Sequence, residues 1–298
     1  MPHKKTLKRS LLAIPGNEAE LAKEASVTDA DEIFLDLEDS LARNEKNPAR
    51  DELMNIVREN NWNDKIVSYR INSVGTRWWH KDIIDVIERV GGEIDTVIVP
   101  KVQSSSEIET VDSVIKAVEM DNDLNVGSIK ISAHIETAKG MGAISEIAHA
   151  SDRLNALMFG QSDYAVSIGA LHEYEDYPGH FWHHPLSRIS RVAAAANLFA
   201  ISGVYMGNNS SRDFQDVCKF EAALGFDGKI VVHPEQIETA NRRFLPSEED
   251  FQRAKKIVEK YESTSVKDIA TIDGILIDDQ MYKMAKRIKY RADMSNEF

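Results

Sequence analysis

Short apolar, β-branched runs recur along this chain at a regular interval, and that rhythm constrains the fold more than any other feature. The spacing predicts strands near Leu11–Ile14, Glu32–Leu37, Ile66–Ile71, Thr96–Pro100, Lys130–Ile135, Leu154–Gly160, Ala200–Met206 and Gly228–His233. Each run is apolar without alternation, which is the sign of a sheet covered on both faces. Helical periods separate them, over Glu18–Ala25, Pro48–Asn60, Lys81–Val90, Glu107–Val118, Ala143–Ala150, Leu186–Leu198 and Arg212–Leu224. Eight strands alternating with helices predict an α/β fold, a (β/α)8 TIM barrel. A doubly wound open sheet is the competing layout, and periodicity does not separate the two. Further helices are expected over Pro234–Asn241 and Ser247–Glu262, the second opening on a capping-box-like Ser247 and Asp250. A polar stretch, Ser263–Asp273, and a last segment, Gly274–Lys289, follow. The expected organisation is a barrel over residues 1–242 and a C-terminal helical extension over 243–298. That extension either plugs one barrel end or reaches over an active site, its own or a neighbouring subunit's.

Composition removes several function classes. The formal charge of −13 argues against nucleic-acid binding through a basic surface. The lone Cys218 excludes an internal disulfide framework and suits a reducing compartment. The basic start resembles the front of a signal peptide, but the apolar run Leu11–Ile14 is too short and ends at Pro15-Gly16. No stretch approaches the length of a membrane span. A cytoplasmic protein with no membrane partner is expected.

In a parallel barrel, chemistry collects at the C-terminal ends of the strands. Read in order, those ends carry Asp36, Glu38 and Asp39, then Arg70 and Asn72, Lys101, His134 and Glu136, Gln161 and Asp163, and His233. Glu136 and Asp163 end consecutive strands, and neighbouring strands lie about 4.8 Å apart. The two carboxylates could share one cation, with water and substrate oxygens completing the shell as Mg²⁺ prefers. The alternative is a salt bridge at the barrel mouth, for instance with Arg70. Arg70 itself either forks onto a substrate carboxylate or oxyanion, or neutralises the Asp36, Glu38 and Asp39 cluster. Both roles are compatible if the acidic cluster fixes the arginine.

Other signals are weaker. The histidines of Gly179–His184 read as a loop. Asp121–Gly127 starts like an EF-hand loop but has Val126 where glycine is required. Cys218 reads as mid-helix packing, and Gly140-Met-Gly142 lacks the rest of a phosphate loop. The glycosylation sequons at Asn208 and Asn209 carry no meaning without a signal peptide.

Seven stretches, in order over almost the whole chain, resemble the citrate lyase β-subunit-like family of acyl-CoA lyases, which includes malyl-CoA and citramalyl-CoA lyases. They are Arg9–Asn17, Leu35–Ser40, Tyr69–Ser73, Val99–Lys101, His134–Ala138, Gly160–Tyr164 and Leu224–Pro234. The resemblance implies that Glu136 and Asp163 bind Mg²⁺, with Mn²⁺ as a substitute, and that Arg70 contacts substrate. It places Pro15, Gly16, Val232 and His233 along the coenzyme A arm. The lysines that some relatives carry after Pro-Gly are absent, leaving Lys23 as the candidate for the phosphates. It also implies a catalytic aspartate in the C-terminal segment, matched here by Asp278 beside Asp279 and often donated by an adjacent subunit. The implied enzyme cleaves a 3-hydroxyacyl-CoA into acetyl-CoA or propionyl-CoA and a 2-oxo acid, glyoxylate or pyruvate, as a trimer or hexamer. Trp182–Arg188 is more similar to the malyl-CoA lyase branch. A malyl-CoA thioesterase on the same scaffold, a citrate lyase β subunit within a larger complex, and a coenzyme A-independent 2-oxo acid aldolase are the rival expectations.

Overall fold

The computed structural model describes residues 6–63, 65–170, 180–205, 212–264, 271–272 and 275–295. Eight strands form the frame: β1 (Ser10–Pro15), β2 (Glu32–Asp36), β3 (Ile66–Arg70), β4 (Thr96–Val99), β5 (Lys130–Ile135), β6 (Leu154–Phe159), β7 (Phe199–Ser202) and β8 (Gly228–Val231). All pair in parallel, each with the next, and β8 pairs back onto β1 through Ser10 opposite Lys229. Closure excludes the open sheet. Around the barrel run α1 (Ala19–Ser26), α2 (Lys46–Glu59), α3 (Trp79–Val90), α4 (Ser105–Asp121), α5 (Ala138–Gly142), α6 (Ile144–Ile147), α7 (Gln161–Ser167), α8 (His183–Ala195), α9 (Arg212–Ala223) and α10 (Ile237–Arg243).

The pleat divides each strand between two cores. Leu11, Phe34, Ile98, Met158, Ile201 and Ile230 fill the barrel interior, while Ile33, Leu35, Val67 and Tyr69 pack outward against the helices. On α3, Ile83, Val86, Ile87 and Val90 recur at helical spacing and are all buried. Buried Asp82 on the same helix accepts from Arg50 Nη2 at 2.7 Å and from the Asn72 backbone N–H at 2.9 Å. Asn72, although a strand-end residue, therefore ties α2, α3 and the end of β3 together. At the opposite end of the barrel, Lys8 and Glu32 form a fully buried ion pair at 2.6 Å. Cys218 is packed inside α9, and burial pushes its thiol up to about 12.

Several boundaries differ from the sequence expectation. The Gly179–His184 histidine run is not a loop over its described part: a 3-10 turn covers His180–Trp182 and α8 begins at His183. The helix expected over 143–150 is shorter, α6 over Ile144–Ile147, and an unexpected turn, α5, precedes it, started where the Thr137 hydroxyl accepts from the Gly140 N–H. Strand β7 ends at Ser202, and Met206, Asn208 and Asn209 lie outside the described residues. Helix α7 begins directly after β6, so Asp163 stands in a first helical turn and not on a strand.

The C-terminal segment pairs α11 (Glu248–Ser263) with α12 (Asp279–Ser295), joined by a two-stranded ribbon of β9 (Thr271–Ile272) and β10 (Ile275–Leu276). Ser247 and Asp250 form the anticipated capping box. Tyr261 and Tyr282 stack at 4.2 Å between the helices. Arg291 anchors α12 by bonding Asp227 Oδ1 at 2.9 Å and the Phe244 carbonyl at 2.8 Å. Asp227 immediately precedes β8, so this anchor lies at the barrel end opposite the strand C-termini. Among the described residues no helix is long and apolar enough to cross a membrane.

Candidate functional site

A cavity of about 540 Å³ opens among the C-terminal strand ends. One wall is apolar, with Ala13, Phe34, Val204 and Ile230. The other carries Asp36, Arg70, His134, Glu136 and Asp163. Strand alternation explains the charged wall: Asp36, Arg70 and His134 follow the inward-facing residues Phe34, Ser68 and Ser132 by two positions.

Arg70 is fixed before any ligand arrives. Its Nε and Nη2 both donate to Asp36 at 2.7 Å, and Nη1 lies 3.3 Å from Glu38 Oε2. The guanidinium also sits over the Phe34 ring, 5.5 Å from its centroid. Burial alone would raise the Asp36 carboxyl, yet the Arg70 charge and its paired hydrogen bonds overcome that and hold it at about 2. The acidic cluster thus holds the arginine, as one of its two readings expects, in the wall of the cavity.

Glu136 is the reverse case. Burial drives its carboxyl up to about 8, against the lowering effect of Arg70 and with Glu38 adding to the rise. Its Oε1 accepts from the Lys101 backbone N–H at 3.0 Å, and its Oε2 lies against Gly160. A Cβ at Gly160 would fall 2.6 Å from Glu136 Cγ, so glycine is required for this carboxylate to occupy its position. His134 Nδ1 comes within 3.1 Å of Glu136 Oε1, but without hydrogen-bond alignment both ring nitrogens are left unpartnered. Burial, helped by Arg70, lowers His134 to about 3, so the ring is neutral.

Lys101 joins the two sides of the mouth. Its Nζ donates to Glu38 Oε1 at 2.7 Å and Asp39 Oδ2 at 2.9 Å, and lies 3.7 Å from Asp163 Oδ2. Lys46 adds a third cation, donating to the Leu37 carbonyl at 3.0 Å and to the Glu38 carbonyl. Five carboxylates, Asp36, Glu38, Asp39, Glu136 and Asp163, stand against the three cations Arg70, Lys101 and Lys46. With Glu136 ionised, the negative charges exceed the positive by two; burial holds Glu136 toward its neutral form, and a divalent ion beside it would favour the ionised one. Among the described residues no three His, Cys, Asp or Glu side chains are grouped to hold an ion. An ion here would rest on Glu136 and Asp163 with the remaining ligands from water and substrate, the arrangement Mg²⁺ favours.

The other sequence candidates separate. Pro15 and Val232 line the cavity. Gly16 packs behind it, where a Cβ would meet the Asp36 carbonyl at 2.9 Å. His233 caps the 3-10 turn at Pro234–Gln236, and Lys23 is exposed on α1; neither lines the cavity. Asp278 accepts from the Met281 backbone N–H at 2.7 Å as the cap of α12, and Asp279 pairs with Lys283. Within one chain Asp278 is not part of the cavity wall. The sequence marked Lys101, His134 and Gln161 only as strand ends, and Lys46 not at all. A lysine directly after the Val99-Pro100 strand end was the available signal for the first.

The description of the HpcH/HpaI aldolase/citrate lyase family matches residues 9–234. The chain belongs to that family. It is therefore a carbon–carbon lyase by descent, and the site just described lies wholly within the matched region. Along its length this family member is 29% identical to the L-malyl-CoA/beta-methylmalyl-CoA lyase of Cereibacter sphaeroides, over 94% of this chain and 93% of that protein. Its fold superposes on CitE of Mycobacterium tuberculosis, solved with magnesium, acetoacetate and coenzyme A. The TM-score is 0.77, with 23% identity over 97% of this chain and 100% of the other. A citrate lyase β subunit from M. tuberculosis, complexed with oxaloacetate and magnesium, matches with a TM-score of 0.65. It is 25% identical over 81% of this chain and 99% of that one.

Proposed function

We propose that this protein is a Mg²⁺-dependent lyase that splits a 3-hydroxyacyl-CoA of the malyl type into a short acyl-CoA and a 2-oxo acid. The carrying observation is one cavity lined by Glu136, Asp163 and the Asp36-clamped Arg70, in which carboxylates outnumber cations. The malyl-CoA lyase relative and the magnesium complex of the citrate lyase β subunit support the substrate class and the ion.

Each residue's part follows from its environment. Glu136 and Asp163 hold the ion, which when bound supplies Lewis-acid stabilisation to oxygen as the carbon–carbon bond breaks. Arg70, held rigid by Asp36, needs no reorganisation to meet the negative charge that develops on the substrate. Neutral His134 offers a ring N–H to a substrate oxygen and an acceptor nitrogen to a substrate hydroxyl, without adding charge. The apolar wall of Ala13, Phe34, Val204 and Ile230 accepts the carbon skeleton and displaces water. Pro15 and Val232 flank the entry of the coenzyme A arm, with Gly16 shaping the turn and His233 and Lys23 outside it.

The proton on the acyl carbon needs a further group. Asp278 fits that role from a neighbouring subunit, since in its own chain it caps α12 away from the cavity. The C-terminal pair α11–α12, within residues 243–298, would then cover the mouth of a second copy in a homo-oligomer. An equimolar mixture of inactive Glu136→Ala and Asp278→Ala proteins, allowed to exchange subunits, is expected to regain up to about a quarter of native activity through hybrid sites. No recovery despite measured exchange would place Asp278 in its own chain's site.

Assays with malyl-CoA and citramalyl-CoA, each with Mg²⁺ and with EDTA, test the main reading. Acetyl-CoA with glyoxylate or pyruvate is the expected product pair. Free malate and coenzyme A would make the protein a thioesterase. Inertness until partner subunits are added would make it a citrate lyase β subunit, and cleavage of free hydroxy acids would make it a coenzyme A-independent aldolase.

A further inference from the structure

Lys101 adopts a left-handed backbone conformation, φ +51°, which is costly for a residue with a side chain. That turn does two things at once. It aims the Lys101 N–H at Glu136 Oε1, and it carries the ammonium across the mouth, where it bonds Glu38 and Asp39 and approaches Asp163. Both proposed ion-holding carboxylates are therefore in contact with one residue. The ammonium contributes one of the three positive charges that offset five carboxylates here.

We propose that Lys101 is an internal counter-ion. Its ammonium holds the acidic mouth together without a divalent ion and keeps the affinity for that ion low until an anionic substrate enters. The inference rests on the reading that Glu136 and Asp163 hold the ion. The reasoning is electrostatic. A fixed positive charge beside Asp163 repels an incoming divalent cation, and a partly buried site screens that repulsion less than bulk water does. The carboxylate of a 2-oxo acid offsets the same charge, so cation and acid bind each other's complexes more tightly than they bind the free protein, and by reciprocal amounts. Lys101 acts through these carboxylates and is a positioning residue.

The test is an electron-paramagnetic-resonance titration with Mn²⁺, with and without pyruvate, on native protein and on Lys101→Met, Lys101→Gln and Lys101→Arg. Without pyruvate, the Met and Gln variants are expected to bind Mn²⁺ about tenfold tighter than native. The tightening that pyruvate produces in the native protein should shrink in both. Lys101→Arg keeps the charge and should stay close to native. Two neutral variants guard against one that fails to fold. Mn²⁺ binding that is unchanged or weaker in a folded neutral variant overturns the counter-ion role while leaving the ion site standing. A native protein that binds no Mn²⁺ with or without pyruvate overturns both.

Discussion

Replacing either proposed ion-holding carboxylate, as Glu136→Gln or Asp163→Asn, is expected to lower kcat/KM for 3-hydroxyacyl-CoA cleavage by about 10³-fold or more. The loss should fall on kcat, because the ion stabilises charge that appears only as the bond breaks. Stability should not follow activity. Glu136 is buried with its carboxyl displaced upward, so the neutral amide removes a charge that the folded state disfavours. Asp163 is nearly half exposed, and among the described residues the cation paired with it is Lys101 at 3.7 Å. Both variants should therefore melt within a few degrees of native, checked by circular dichroism beside the kinetic assay. Full activity of either variant in excess EDTA would remove the ion from the mechanism.

Arg70→Leu is expected to damage both activity and stability, and the two can be separated. Removing the guanidinium leaves Asp36 buried without a cation, which typically costs about 3–5 kcal/mol. The pH dependence should also invert. In the native protein Asp36 is held at about 2, below its ordinary 3.8, so its contribution is complete above about pH 4 and is lost as pH falls through about 2. In Arg70→Leu only the Glu38 and Ser40 N–H bonds still oppose burial, so the carboxyl rises, and acidification neutralises Asp36 and recovers stability. The double variant Arg70→Leu/Asp36→Asn should regain most of the melting temperature, while cleavage remains about 10²–10³-fold down. Recovery of activity along with stability would reduce Arg70 to a structural ion pair.

The fold was legible because a parallel barrel writes itself into the chain as apolar strands separated by amphipathic helices. Glu32–Asp36 and Thr96–Val99 appear as strands close to their expected limits. The short elements were not legible. Helix α7 follows β6 without a loop, and Gln161-Ser-Asp163 reads equally as a strand end. The short turn α5 starts on one Thr137 hydroxyl bond, which no hydrophobic period reports. At the site, the positions of Arg70, Glu136 and Asp163 could be read from the sequence, as could the acidic cluster that Arg70 meets, but which carboxylate takes it could not. That Asp36 in particular takes both nitrogens of Arg70 follows from the β2–β3 register, in which Asp36 stands opposite Arg70. That Gly160 must lack a side chain follows from the packing of Glu136 against β6.

By itself, the order of apolar runs narrowed the fold to a parallel barrel or a doubly wound sheet and named the residues at the strand ends, because strand period and parallel crossover leave few other ways to bury those runs. Pairing of β8 with β1 decided for the barrel. Only the closed tertiary structure decided the ionic states of the strand-end residues. Whether a carboxyl sits near 2, as Asp36 does, or near 8, as Glu136 does, depends on whether a guanidinium meets it squarely or burial outweighs every neighbour. Those are properties of distance and solvent exclusion across strands, and a linear chain carries neither.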